Sequence, residues 1–242
     1  MPLPSANELK TVRSLSQKKF RDSLGMFVVE GEKMVAEAEG AGYEIVKVFR
    51  TEEIGHDQMA RLTLLSTPSP VLALVRKKEP DGDDTPRGLC LALDSIRDPG
   101  NMGTIMRICD WFGVSTLYLS PDCVDIYNPK VVQATMGAIF RLRTVSMDIP
   151  ALCRRVASLG GHVYGTLLDG ENIYLSPLDN GLDAPSLVVV GNESRGISTE
   201  VRALLTDRLL VPPYPRDGSG SESLNAAVAT AVVLAEFRRR LT

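Results

Sequence analysis

The sequence predicts an α/β protein whose mainly parallel sheet carries helices on both faces and is preceded by a small α/β domain. Three observations lead there. Short apolar runs of strand length alternate with segments of helical period through most of the chain. No internal repeat interrupts that alternation. One acidic stretch rich in Pro and Gly, EPDGDDTPRG at 79–88, follows a basic RKK and has the turn chemistry of a linker. The expected organisation is therefore a first domain over 1–78, a linker over 79–88 and a larger domain over 89–242.

In the first domain, LGMFVVEG (24–31) has the composition of a strand, and EKMVAEAEGAG (32–42) of a short helix stopped by glycine. YEIVKVFRT (43–51) has the period-two character of a strand, and 56–66 and 70–78 continue the alternation. In the second, GLCLALDSI (88–96) is an apolar strand, and NMGTIMRICDWFG (101–113) is a helix ended by Gly113. STLYLS (115–120) is the next strand. NPKVVQATMGAIF (128–140) is a helix opened by an Asn cap and a first-turn Pro. ALCRRVASLGG (151–161) is a further helix, and 162–168, 186–193 and 208–214 are strands. Leu224, Val228, Ala231, Val232 and Ala235 form an apolar stripe on a last helix. Helices between successive strands imply a parallel sheet buried on both sides.

Composition narrows the class. With 44% hydrophobic and 24% charged residues, the 242-residue chain has the make-up of an ordinary globular protein. No run approaches the roughly 20 apolar residues that span a bilayer, and the N-terminal residues lack a secretory pattern, so a cytoplasmic protein is expected. Cys90, Cys109, Cys123 and Cys153 are scattered, with His56 and His162 apart from them. That suits reduced thiols and not a metal site. A net charge of −3 argues against a protein that coats nucleic acid. It leaves room for local basic patches, of which Lys18, Lys19 and Arg21 form the candidate for RNA phosphates.

Ligands of an open parallel sheet bind beyond the carboxyl ends of its strands, and three loops rich in Gly, Pro and polar groups fall there. DSIRDPGNMGTIMR (94–107) sets Asn101 between two glycines and places Arg107 on the helix that follows. Alone, Asn101 could be an ordinary helix cap. VVVGNESRGIS (188–198) brackets Asn192, Glu193, Ser194 and Arg195 with Gly191 and Gly196. A carboxylate at a strand end is costly unless paired or solvated, and Glu193 bonded to Arg195 is the simple alternative. The third loop, 211–237, brings Ser223, Leu224 and Asn225 to the start of a long helix that Ser223 could cap.

Taken together, the three loops resemble the SpoU/TrmH family of RNA ribose 2′-O-methyltransferases, within the SPOUT superfamily. The first family motif, an Asn and an Arg six residues apart after Pro-Gly, falls on Asn101 and Arg107. The second, G-N-E-x-x-G-I, falls on Gly191 to Ile197. The third falls on Val211, Pro212 and Ser223 to Asn225. The resemblance covers roughly 88–240. More weakly, K-K-F-R (18–21) and F-V-V-E-G-E-K (27–33) make 7–78 similar to the substrate-binding domain of members that act on ribosomal RNA. One departure is the polar stretch PYPRDGSGSE (213–222), longer than the usual link.

The resemblance implies a C-terminal trefoil knot, a homodimer and methyl transfer from S-adenosylmethionine to a ribose hydroxyl of structured RNA, ribosomal in preference to transfer RNA. It implies cofactor contacts at Leu167, Gly191, Asn192, Val211 and Leu224. It also implies a catalytic set of Asn101, Arg107, Glu193, Ser223 and Asn225. The family gives the arginine the role of base, yet arginine stays protonated in proteins. Arg107 is therefore expected first as a phosphate clamp and stabiliser of the developing alkoxide. Alternatives are a base methyltransferase of the SPOUT group, a non-catalytic RNA-binding protein of the same fold, and a nicotinamide oxidoreductase. The missing G-x-G-x-x-G disfavours the last.

Overall fold

The computed structural model describes residues 3–78, 83–215 and 219–241. Part of the expected linker, 79–82, and residues 216–218 of the polar stretch lie outside them. In chain order the elements are α1 (Ala6–Ser14), α2 (Lys18–Leu24), β1 (Met26–Glu30), α3 (Glu32–Gly40), β2 (Ile45–Arg50), α4 (Thr51–Ile54), α5 (His56–Leu62), β3 (Val71–Arg76), β4 (Leu89–Asp94), α6 (Pro99–Trp111), β5 (Leu117–Leu119), α7 (Pro129–Thr135), β6 (Thr144–Ser146), α8 (Ile149–Ser158), β7 (His162–Asn172), β8 (Ser186–Gly191), α9 (Thr199–Arg202), β9 (Asp207–Leu210) and α10 (Ala226–Arg239). They fall into two compact units, Met1–Glu79 with Asp125–Arg141, and Pro80–Val124 with Leu142–Thr242.

The first unit is built on an antiparallel three-stranded sheet of order β1-β3-β2. β3 lies between its neighbours and its Val71–Val75 run is buried throughout, which is why that run is apolar at every position and does not alternate. Val12, Leu15, Val28, Phe49, Met59, Leu62, Leu72 and Leu74 make a core on one side. The segment 125–141 completes this unit. Its α7 starts as expected, with Asn128 Oδ1 accepting from Lys130 N (2.9 Å) and Pro129 at the first position. The helix does not run on to 140. Met136 (φ 50°) and Gly137 (φ 96°) both turn left-handed and end it, and a short 3-10 turn, Ala138–Phe140, follows. Aromatic contacts anchor the segment: Tyr127 lies 4.7 Å from Phe27, and Phe140 lies 5.2 Å from Tyr43, centroid to centroid.

The surface set Lys18, Lys19 and Arg21 needs correction in this unit. Lys18 and Lys19 are exposed, Lys18 bonded to Asp22 at 2.6 Å and Lys19 over the Phe20 ring. Arg21 is 2% exposed. Its Nε and Nη2 donate to Asp125 Oδ2 (2.8 and 2.6 Å) and its Nη1 to the Leu15 carbonyl (2.8 Å). A guanidinium with those partners, out of water, has nothing left to offer an RNA phosphate.

The second unit holds the expected parallel sheet, six strands in the order β6-β5-β4-β8-β7-β9. β4 and β8 sit at its centre, and all six residues of each are buried. Alternation divides the core. Cys90, Ala92, Leu187 and Val189 pack with α8 and α9 through Leu152, Val156 and Val201. The opposite parity faces α6 and α10, where Tyr164 meets Phe237 edge-on at 5.1 Å.

α10 departs from the expected stripe. Ala226, Ala227, Thr230, Val233, Leu234 and Phe237 are buried, whereas Leu224 and Val228 are about half exposed and Ala235 is exposed. The helix is apolar on most of its circumference, so two stripes of helical spacing coexist in its sequence, and packing selected the other one.

Candidate functional site

The carboxyl ends of β4, β8, β7 and β9 lie at one end of the parallel sheet, and the polar loops leave from them. α6 starts two residues before the expected position: Asp98 caps it, its Oδ1 accepting from Asn101 N (2.8 Å), with Pro99 at the first position. Asp98, not Asn101, is therefore the cap, which frees the Asn101 side chain. Its Nδ2 donates to Glu193 Oε1 (2.7 Å), and its Oδ1 accepts from Asn225 Nδ2 (2.8 Å). Asn225 caps α10, its Oδ1 accepting from Ala227 N (2.9 Å) and Val228 N (3.3 Å).

This relay fixes each amide's orientation. Asn225 must turn its oxygen to the helix N–H groups, so its nitrogen faces Asn101. Asn101 must then answer with its oxygen, which leaves its nitrogen for Glu193. Three loops far apart in sequence are thereby tied through Asn101, Glu193 and Asn225. Glu193 is bonded across the site to Asn101, not to its neighbour Arg195, and Ser223 is exposed and does not cap α10.

Arg107 lies further along α6, about 9 Å from Asn101 on the helix axis at the usual rise per residue. It is exposed, and no hydrogen bond or ion pair engages its guanidinium among the described residues. The structure joins Asn101, Glu193 and Asn225 to one another. It leaves Arg107 and Ser223 on the surface of the same unit without a bond to that trio.

Gly191 ends β8 and enters a tight turn closed by Asn192 N to Gly196 O (3.0 Å) and Gly196 N to Asn192 O (2.8 Å). A Cβ on Gly191 would stand 2.2 Å from the Gly196 carbonyl carbon and 2.3 Å from Ile197 N. Those are backbone atoms, so the turn would have to open. Gly191→Ala is therefore expected to destabilise the protein by about 1–3 kcal/mol, as overpacking does. Thermal melting measures it, and an unchanged melting temperature would show that the turn yields.

Asn192 spans the turn. Its Oδ1 accepts from Ser194 N (3.0 Å) and Arg195 N (3.1 Å), and its Nδ2 donates to the Ser95 carbonyl (2.8 Å). Leu167 is half-buried on β7, Val211 half-buried after β9, and Leu224 exposed before α10. Near these strand ends Leu168, Leu224 and Val228 also expose aliphatic surface. Gly191 and Val211 stand at the carboxyl ends of β8 and β9, where an open parallel sheet binds its ligands. Sequence reasoning did not single out Asp94, Ser95, Ser120 and Asp122, which brace the same loops; only Asp94 and Ser95 lie inside a motif-bearing stretch.

Comparison with known proteins finds two family models along the chain, the larger of which takes in 125–141. Residues 88–235 match the SpoU rRNA Methylase family model, and residues 6–80 match the MRM3-like substrate binding domain. A TrmH-family structure from Porphyromonas gingivalis is 37% identical, with a TM-score of 0.85 over 99% of this chain and 100% of that one. The 23S rRNA (guanosine(2553)-2'-O)-methyltransferase RlmP of Bacillus subtilis is 27% identical over 96% of each chain. The AdoMet-bound rRNA methyltransferase from Sinorhizobium meliloti is 27% identical, with a TM-score of 0.86 over 99% of this chain and 98% of that one. Fold and relatives together define an RNA methyltransferase that takes its methyl group from S-adenosylmethionine. The chain belongs to the SpoU rRNA methylase family.

Proposed function

We propose that this protein methylates a ribose 2′-hydroxyl of ribosomal RNA, with Asn101, Arg107, Glu193, Ser223 and Asn225 as its catalytic set. The observation that carries the reading is the Glu193–Asn101–Asn225 relay at the strand ends, with Arg107 exposed further along α6 and without a protein partner among the described residues. Four free cysteines fit a reducing, cytoplasmic setting. Among the described residues no helix is long and apolar enough to cross a membrane. Residues 1–78 are the RNA-recognition module, with Lys18 and Lys19 as exposed cations able to meet phosphates. The active form is a homodimer, as the family resemblance implies.

Leu167, Gly191, Asn192, Val211 and Leu224 hold the cofactor, which supplies an electrophilic sulfonium methyl group when bound. The work left to the chain is alignment and charge. Asn101 and Asn225 hold Glu193 in place, so that its second oxygen can accept from a ribose hydroxyl. Arg107 offers a planar fork of donors to the adjacent phosphate and to the 2′-oxygen as negative charge develops there. Holding the hydroxyl oxygen in line with the methyl carbon supplies much of the barrier reduction.

Calorimetry on the purified protein is expected to detect S-adenosylmethionine binding and no NAD binding. Affinity for NAD alone would overturn the reading of the cofactor loops. Mapping of 2′-O-methyl groups in total RNA from cells with and without the protein tests the reaction. The expected result is one or more ribosomal positions lost with it, and an unchanged map would refute the proposal.

A further inference from the structure

Ser95 is one of two non-glycine residues with positive φ among the described residues, at 65°. That conformation costs energy in any residue with a Cβ, and it persists only where the surroundings impose it. Ser95 follows the last residue of β4 and precedes the loop that carries Asn101. Each of its polar groups is bonded. Its N–H donates to Ser120 Oγ (2.9 Å), and its hydroxyl donates to Asp122 Oδ2 (2.6 Å). Its carbonyl accepts from Asn192 Nδ2 (2.8 Å). Asp94 Oδ2 beside it accepts from Ser198 N (2.7 Å), a second tie to the loop after β8.

Asp122 is the hub on the β5 side. Besides Ser95 it accepts from Ser120 Oγ (2.7 Å) and from Arg97 Nη2 (3.2 Å). The hydroxyls of Ser95 and Ser120, followed by the Arg97 guanidinium, hold its carboxyl down at about 2. On the other side, the Asn192 amide that holds the Ser95 carbonyl also organises the turn presenting Glu193, and Glu193 is bonded to Asn101. The loops after β4, β5 and β8 thus meet at one strained residue.

We infer that Ser95, held left-handed by Asp122 and Ser120, is a positioning residue that sets where Asn101 and Glu193 stand relative to each other. This rests on the proposed roles of those two residues. Without the carboxylate, Ser95 relaxes toward negative φ, its carbonyl swings away from Asn192, and the two loops lose their common reference. A misplacement of about 1 Å at reacting groups can cost on the order of 100-fold in rate.

The test compares Asp122→Ala, Ser95→Ala and Ser95→Gly, with Asp122→Asn as the conservative variant. With cofactor and RNA saturating, Asp122→Ala is expected to lower kcat, with little change in the KM for RNA. Asp122→Asn keeps an acceptor for the hydroxyl and is expected to retain most of the rate. Ser95→Ala and Ser95→Gly lose the same hydroxyl, but glycine adopts positive φ freely, so Ser95→Gly should be faster, on the order of tenfold. Adding Ser95→Gly to Asp122→Ala should recover part of the lost rate. Equal rates for Ser95→Ala and Ser95→Gly, or no recovery in the double variant, would overturn the inference. The Ser95 pair decides it even if Asp122→Ala fails to fold. Hydrogen exchange separates this idea from the proposed reaction: amides of 95–101 and 192–196 should exchange faster in Ser95→Ala than in Ser95→Gly. A wild type inactive on RNA would remove the proposed function and leave that measurement to decide the positioning role of Ser95, and identical exchange in the two variants would remove that role.

Discussion

Arg107→Ala is expected to lose about 100- to 1000-fold in the single-turnover rate of methyl transfer, the range found on removing one preorganised donor to a developing oxyanion. Cofactor affinity should survive, because Arg107 lies on α6 and the proposed cofactor contacts lie on β7, at the ends of β8 and β9 and at the start of α10. The guanidinium has no partner among the described residues, so its loss leaves no protein group orphaned, and the melting temperature should hold. Arg107→Lys separates two roles. Lysine keeps the charge and loses the planar fork, so a clamp leaves a deficit that is constant while the lysine is protonated and deepens as rising pH removes its proton. Lysine also has a lower ordinary pKa than arginine. If the side chain must accept the ribose proton, the lysine variant would be inactive while protonated and would recover as pH rises toward that value. Rate against pH for wild type and Arg107→Lys, with RNA saturating, distinguishes the two. A wild-type rate in Arg107→Ala would exclude both.

The three loops that the structure joins were each legible as a short local pattern. Asn101 announces itself beside Pro-Gly, Glu193 between two glycines, and Asn225 at a helix start. What bound them was not legible. The Asn101–Glu193 bond spans 92 positions and the Asn225–Asn101 bond 124, and no local pattern encodes either. Asp122 shows the same limit more sharply. In sequence it is an acidic residue in a turn, and its meaning lies in Ser95, 27 positions earlier. The parallel sheet was readable from the alternation of apolar strands with helices, except for β6, three residues at the sheet edge with no pattern to read. The side of α10 that packs was not readable, since an almost wholly apolar helix does not mark its buried face. Nor was it readable that 125–141 folds with the first unit, because the contacts of Tyr127 and Phe140 with Phe27 and Tyr43 are made far along the chain.

Arg21 gives the second large effect, on stability and not on chemistry. In sequence it is one cation of a cluster; in the fold it is a buried one. Asp125, 11% exposed, takes two donors from it, and the Leu15 carbonyl takes a third. Removing one partner of such a pair leaves the other charge out of water without compensation, at a cost of about 3–5 kcal/mol. Arg21→Ala adds the loss of the aliphatic stem to that. Among the described residues, the hydrogen bond left to the Asp125 carboxylate is the Tyr127 N–H on Oδ1 (3.1 Å), which does not neutralise it. Replacing both members by apolar residues of similar size removes the stranded charge, so Arg21→Met/Asp125→Leu should regain much of what Arg21→Met alone loses. Denaturant unfolding reads the difference directly as a shift in midpoint. RNA affinity, measured well below the melting temperature, should not change in Arg21→Met. Replacing Lys18 and Lys19 by Ala should instead leave stability nearly intact and flatten the salt dependence of RNA binding by about one unit per lost phosphate contact. A stable Arg21→Met with a flattened salt slope would place Arg21 on the RNA face and undo its assignment to the core.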